Sequence, residues 1–337
     1  MENIADLKQF LSVPRYLTII SHRNPDGDAI GSSLGLYHFL NKFGHTVRVI
    51  LPSEYPANFS WMPDAEKITI YDIEKDVTKD KLEMSDAIFC LDFNALDRID
   101  KVGEIVNFLD VPKILIDHHL DPEPFAEYQL SDTTASSTCE LVYRFICDLG
   151  EKEALDKTIA SCLYTGIVTD TGSFRFSTSP RLFRVVADLV ELGVDDFAIQ
   201  DKIFNSMSEK QLYLLGHCLA NRMEILSEYN AGIIVLTKGD YENFDIQRGD
   251  TEGIVNYLLM VKGIKMAAFI SEQPTIVKIS LRSKGDFSVQ KIARKYFSGG
   301  GHKNASGGFT FKSLSWMVRK LKEVLPDYKD ELNSIEI

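Results

Sequence analysis

Tyr16-Leu-Thr-Ile-Ile-Ser-His-Arg-Asn-Pro-Asp-Gly-Asp28 decides how the chain is read. Tyr16 to Ile20 are aromatic, β-branched or leucine, the make-up of a strand buried on both faces. Asn24-Pro25 and Gly27 then mark a polar turn. A helical pattern runs from about Ala29 to Phe43, closed by Gly44 as its C′ residue. Strand, short loop and helix form the first half of a βαβ unit. Thr46–Leu51, Asp86–Leu91 and Lys113–Ile116 read as further buried strands. The alternation predicts an α/β fold with an open, mostly parallel, Rossmann-like sheet, right-handed crossovers and flanking helices.

Helical patterns dominate from about Ser137 to Arg222, with capping boxes at Ser137/Glu140 and Ser208/Gln211. The second box opens a helix expected to reach about Leu226 and to connect two domains. Ala231–Leu236, Met266–Ile270 and Thr275–Leu281 are β-rich, and a helix follows from about Ser315 to Val324. They predict a smaller C-terminal α/β domain. A length of 337 residues is itself more than one core usually supports.

Composition sets outer bounds. The chain is 45% hydrophobic and 26% charged, which excludes a disordered or fibrous class. No apolar run approaches the roughly 20 residues that span a bilayer, and Met1–Asp6 is polar and acidic, unlike a secretory signal. The five cysteines lack a C-x-x-C pair and read as reduced, mostly buried thiols of a cytoplasmic protein. A net charge of −12 argues against binding long nucleic acid but leaves room for a small anion. Lys278 to Lys303 runs against that balance, with seven basic residues and one acid, Asp286.

The chemistry is concentrated where strands and helices end. In an open α/β sheet, ligands bind at the carboxyl ends of the strands. His22-x-x-x-Asp26-x-Asp28 follows the first strand, Asp92 the third, Asp117-His118-His119 the fourth, and Asp170 a helix. Singly, each Asp is an ordinary helix cap or turn former. Together, at one sheet edge, they are hard to explain by packing. Imidazoles mixed with carboxylates, without thiolates, suit Mn²⁺, Fe²⁺ or Co²⁺ better than structural zinc. The carboxylates exceed the needs of one ion, and a carboxylate shared by ions roughly 3.5–4 Å apart is the common arrangement for phosphate-ester hydrolysis.

These motifs, in this order, resemble those of the DHH phosphoesterases. Gly299-Gly300-Gly301-His302, with Arg282 upstream, is similar to the signature of the DHH-associated C-terminal domain. Length and domain arrangement resemble the NrnA-type branch, which degrades very short oligoribonucleotides and dephosphorylates 3′-phosphoadenosine 5′-phosphate. The resemblance implies a DHH catalytic domain over 1–190, a helical linker over 191–228 and a DHH-associated substrate-binding domain over 229–337. It implies two divalent ions, Mn²⁺ first, with His22 and Asp26 on one and Asp28, His118 and Asp170 on the other. Asp92 would bridge them, Asp117 would orient the histidines, and His119 would face the scissile phosphate. Arg282, Gly299, Gly300, Gly301 and His302 would bind substrate, and Arg98 and Arg175 are further candidates for phosphate contacts.

The function expected is hydrolysis of dinucleotides to pentanucleotides of RNA to mononucleotides, and of 3′-phosphoadenosine 5′-phosphate to AMP, in a cleft between the domains. The partners implied are short RNA and small phosphorylated nucleotides, with no long duplex and no membrane. The alternative on the same catalytic half is a phosphodiesterase for cyclic dinucleotides or linear pApA. A nucleotide sensor with a dead site would have lost ligands, and none is missing. His38, His45, His217, Trp61 and Trp316 read as structural, and the acids of the C-terminal tail as solvated.

Overall fold

The computed structural model describes residues 3–247 and 249–334; Met1 and Glu2 of the polar N-terminus and Glu336 of the acidic tail lie outside them. The chain divides between Ser206 and Met207 into two compact units.

Six parallel strands organise the first unit: β1 (Tyr16–Ser21), β2 (Thr46–Leu51), β3 (Thr69–Ile70), β4 (Ala87–Leu91), β5 (Lys113–Asp117) and β6 (Tyr128–Ser131). Their order is β3-β2-β1-β4-β5-β6. Helix α1 (Ile4–Phe10) precedes β1, and α2 (Gly27–Asn41), α3 (Lys75–Glu83) and α4 (Lys101–Phe108) connect strands. After β6 come α5 (Thr138–Asp148), α6 (Lys157–Asp170), α7 (Pro180–Glu191) and α8 (Asp196–Phe204). Both β4 and β5 are buried along their whole length, because alternate residues enter different cores. Leu17, Ile19, Phe89 and Leu91 pack with α2, α5 and α6, while Ile20, Ile88, Cys90 and Leu115 pack with α4. The order reverses between β1 and β4, so a crevice opens at their carboxyl ends. Strands β3 and β6 have no counterpart in the sequence reading: β3 has two residues, and only one of the four residues of β6 is buried.

Helices α2 and α6 pack nearly backbone to backbone. Gly27, Gly31 and Gly35 repeat every four residues along α2, which places them on one face. A Cβ on Gly31 would lie 2.6 Å from the Cys162 carbonyl oxygen, and one on Gly166 would lie 2.2 Å from Cys139 Sγ and 2.7 Å from Asp28 Oδ1. Only glycine permits this approach.

The second unit starts with α9 (Glu209–Asn221), whose Ser208–Gln211 capping box forms in both directions. The helix stops at Asn221 and does not reach Leu226. Residues 223–226 form an edge strand, β7 (Met223–Leu226), antiparallel to β8 (Ala231–Leu236). The Arg222 carbonyl accepts from the Val235 amide, so sheet pairing captures a segment of helical pattern. Of residues 191–228, α8 lies in the first unit and α9 and β7 in the second. The sheet continues through β9 (Met266–Glu272), β10 (Val277–Ser283), β11 (Gly300–Gly301) and β12 (Ala305–Thr310), in the order β11-β12-β10-β9-β8-β7. Helices α10 (Lys238–Asn243), α11 (Ile254–Leu258), α12 (Val289–Tyr296) and α13 (Leu314–Val324) complete it. Ile233, Ile279 and Leu281 pack with α12 and α13 on one face, and Ile234 and Phe269 pack with α9 and α11 on the other.

Candidate metal centre and active site

His22, at the end of β1, is buried, and its Nδ1 lies 3.0 Å from the Arg23 carbonyl oxygen. That bond fixes the ring and turns Nε2 inward. Nε2 is 3.4 Å from Asp92 Oδ2 and 4.0 Å from Asp26 Oδ1. Asp26 is both cap and candidate ligand, since its Oδ1 also accepts from the Asp28 and Ala29 amides at the start of α2. Across the crevice, His118 Nδ1 faces the Ala135 carbonyl oxygen at 3.4 Å. Its Nε2 lies 3.6 Å from Asp92 Oδ1, 3.5 Å from Asp170 Oδ2 and 3.9 Å from Asp28 Oδ2. Asp92 therefore turns one oxygen to each imidazole. It does so from a left-handed backbone, φ 64°, immediately after β4, a conformation Asp tolerates better than most residues and one found at functional sites.

Asp28 is gripped from behind. Its Oδ2 accepts from the Thr138 amide at 2.6 Å and its Oδ1 from the Cys139 amide at 2.9 Å, while Thr138 Oγ1 donates to Asp92 Oδ1 at 3.0 Å. These groups were absent from the sequence expectations. The signal was there: a Ser137 cap opens a helix, and helix N-terminal amides bind carboxylates. Asp117, expected to orient both histidines, orients one. Its Oδ1 is 2.7 Å from His119 Nδ1, whereas His118 is set by Ala135. Asp117 Oδ2 is buried without a hydrogen-bond partner.

The charge state of the cluster tests its fit to cations. Burial pushes Asp28 well above the usual carboxylate range, and the charges of Asp92 and Asp170 add to this. Burial, opposed by His118 and reinforced by Asp26 and Asp92, lifts Asp170 to about 7. For His22, burial is outweighed by the Asp92 hydrogen bond and the charges of Asp26 and Asp92, which raise it to about 9. His118 is raised for the same reasons, with Asp170 and Asp28 contributing. Burial alone would raise Asp92, but bonds from His118 and His22 hold it well below its usual range. Protons thus compensate a carboxylate excess that divalent ions would compensate directly. The donor set fits two ions: His22, Asp26 and Asp92 for one, and Asp28, His118, Asp170 and Asp92 for the other. The imidazoles of His22 and His118 each have the other nitrogen against a carbonyl, the arrangement common for metal-bound histidines.

The remaining expected residues are placed as follows. The Arg98 carbonyl accepts from the Arg23 amide, and among the described residues the buried Arg98 Nε has no hydrogen-bond partner. Arg175 is exposed beyond a left-handed turn of Gly172, Ser173 and Phe174, two residues of which are not glycine. Arg282 lies on β10, half-buried, with NH1 3.0 Å from the Leu281 carbonyl oxygen. His302 turns between β11 and β12, its amide donating to Ala305. The glycines before it answer first to that hairpin: a Cβ on Gly299 would lie 1.9 Å from the Gly307 carbonyl oxygen, and Gly301 has φ 133°. Gly300 alone of the three would admit a Cβ without a clash, its nearest neighbour being Arg294 Nε at 3.9 Å. Among the residues read as structural, His45 Nδ1 accepts from the Arg15 amide, His38 meets the Pro63 carbonyl, and His217 bonds Asp240. Lys202 and Lys312 lie over the rings of Trp61 and Trp316.

Residues 17–167 match the DHH family, N-terminal domain, and residues 224–333 match the DHHA1 domain. A Thermus thermophilus protein described as bifunctional oligoribonuclease and PAP phosphatase NrnA is 30% identical over 98% of this chain and 94% of its own. The chain belongs to the DHH family. A Bacillus subtilis protein of the same description is 29% identical over 90% of this chain and 92% of its own. The structure of an exopolyphosphatase-related protein from Bacteroides fragilis superposes with a TM-score of 0.95 at 40% identity, covering 98% of this chain and 97% of that one. The DHH match takes in His22, Asp26, Asp28, Asp92 and Asp117–His119, with Asp170 just beyond it, and the DHHA1 match takes in Arg282 and Gly299–His302.

Proposed function

We propose that this DHH protein is a two-metal phosphoesterase that hydrolyses short oligoribonucleotides to mononucleotides and 3′-phosphoadenosine 5′-phosphate to AMP. The observation that carries the reading is the double engagement of Asp92, one oxygen toward each of two histidine-led donor sets. The substrate class is carried by likeness to the two NrnA proteins along nearly the whole chain. Mn²⁺ is placed first among the ions that suit an imidazole and carboxylate set without thiolates, with Fe²⁺ and Co²⁺ beside it. Two such ions polarise a phosphoryl oxygen and lower the pKa of a water between them.

The chain's own residues supply the rest. Asp92 fixes the spacing of the two donor sets, and the Thr138 and Cys139 amides keep Asp28 in place. His119, with Nδ1 held by Asp117, offers Nε2 to a phosphoryl oxygen or to the leaving oxygen. Arg98 carries a buried Nε, without a partner among the described residues, suited to a phosphate. Arg175 is a further candidate for a phosphate contact, and Arg282, Gly300 and His302 of the second unit are candidates for contacts to the rest of the substrate. Five free thiols, four of them buried, favour a reducing compartment, the cytoplasm. Among the described residues no helix is long and apolar enough to cross a membrane.

The test is a Mn²⁺-dependent product assay on a diribonucleotide, a pentaribonucleotide, 3′-phosphoadenosine 5′-phosphate and a cyclic dinucleotide. Fast mononucleotide release from the short RNAs and AMP from the bisphosphate are expected. Preference for the cyclic compound would overturn the substrate assignment, and inertness toward all four would overturn the enzyme.

A further inference from the structure

Behind the metal centre is a segment that lies outside the metal-ligand motifs. Residues 132–140 touch three of the expected ligands from the side away from the crevice. The Ala135 carbonyl meets His118 Nδ1, the Thr138 and Cys139 amides hold Asp28, and the Thr138 hydroxyl holds Asp92. The segment is in turn pinned at both ends. Asp132 Oδ2 accepts from Arg144 at 2.6 Å and from Arg181 at 3.3 Å, and its Oδ1 accepts from the Thr134 amide and hydroxyl. Glu140 Oε2 accepts from the Ser136 amide at 2.8 Å, and its Oε1 accepts from Arg181 Nε at 2.7 Å.

Glu140 has no solvent exposure, and among the described residues its one cationic partner is Arg181. A buried carboxylate that loses its cation is left uncompensated and is driven to move. Movement of Glu140 releases the Ser136 amide that its Oε2 holds, and with it the entry into α5. The first turn of α5 carries the amides that aim Asp28. Arg181 itself belongs to α7, touches none of the expected ligands, and is half-exposed.

We infer that Arg181, through Glu140 and Asp132, is a positioning residue that sets the affinity of the ion held by Asp28, His118 and Asp170, and reaches the His22–Asp26 ion only through the shared Asp92, which Thr138 Oγ1 holds. The asymmetry follows from the contacts. His22 is oriented by the Arg23 carbonyl and Asp26 by the first amides of α2, neither of which the 132–140 segment touches. The inference rests on the two-metal reading proposed above.

The experiment is Mn²⁺ titration of the full chain by calorimetry, with low-temperature electron paramagnetic resonance to distinguish isolated from spin-coupled ions. Wild type, Arg181→Gln and Arg181→Lys are compared, and unfolding is followed without metal at neutral pH. For Arg181→Gln, one ion binds about 10- to 100-fold more weakly, the usual cost of losing an outer partner of a ligand, and the other is weakened less. The coupled signal then gives way to an isolated-ion spectrum at limiting Mn²⁺. Arg181→Lys, which keeps a cation beside Glu140 without the two-point reach to Asp132, falls between. Unchanged affinities for both ions, or an equal fall in both, would overturn the inference. Fewer than two ions on the wild type would instead overturn the two-metal reading itself.

Discussion

Asp117 Oδ1 lies 2.7 Å from Nδ1 of His119, and the Asp117 carboxylate has no solvent exposure. The pair resembles a base held in one tautomer by a buried acid, and the two residues are expected to separate by effect. His119→Ala should lower kcat by about 10²- to 10⁴-fold, the usual worth of a positioned proton donor, with Mn²⁺ uptake intact. Asp117→Asn should cost less, about 10- to 100-fold. Loss of a metal ion in His119→Ala would show that His119 is a ligand.

Asp92→Ala removes the carboxylate whose two oxygens face His22 and His118. Both Mn²⁺ ions should be weakened and turnover should fall below detection. Retention of two ions with measurable turnover would rule out a bridging role. Metal analysis of the purified variant, beside a turnover assay, decides between these outcomes.

Gly166→Ala would set a methyl group 2.2 Å from Cys139 Sγ and 2.7 Å from Asp28 Oδ1. Overpacking of this kind costs about 1–3 kcal/mol, and here it also displaces a ligand, so Mn²⁺ affinity and melting temperature should fall together. Gly216, inside α9, has open space where a Cβ would stand, with no neighbouring atom within 4 Å. Gly216→Ala should therefore stabilise by about 0.5–1 kcal/mol through helix propensity. Unfolding by urea measures both.

Asp240 accepts from His217 Nε2, Arg222 NH2 and the Thr237 amide and hydroxyl. Burial alone would raise its pKa, but these bonds, Arg222 foremost, bring it down to about 2. A folded pKa below the unfolded value of about 3.9 contributes stability that is fully present above about pH 4. That contribution, about 2 kcal/mol, is lost as pH falls from there through about 2. Asp240→Asn should be less stable than wild type at pH 7, and the gap should narrow as pH drops through this window. Parallel pH curves for the two proteins would refute the assignment.

The parts of the fold legible in the sequence were those whose signal is local. Tyr16–Ile20, Thr46–Leu51 and Lys113–Ile116 are short runs rich in β-branched residues and leucine, and each is a largely buried strand. The two-residue β3, the polar β6 and the exposed β7 owe their pairing to neighbours, and no run of their own residues announces it. The same division holds at the metal centre. Side chains of ligand type at strand ends could be read directly, whereas the Thr138 and Cys139 amides and the Ala135 carbonyl belong to the backbone, which is the same at every residue. The reason for Gly299 and Gly301 was also out of reach, because it lies in the close approach of β11 to β12.

The donors of the centre are spread along the chain from His22 to Asp170, and the crevice between β1 and β4 gathers them only once that whole stretch is in place. A ribosome must therefore deliver about half of the polypeptide before any complete hydrolytic centre can exist. Shorter nascent chains carry isolated histidines and acids with no shared geometry.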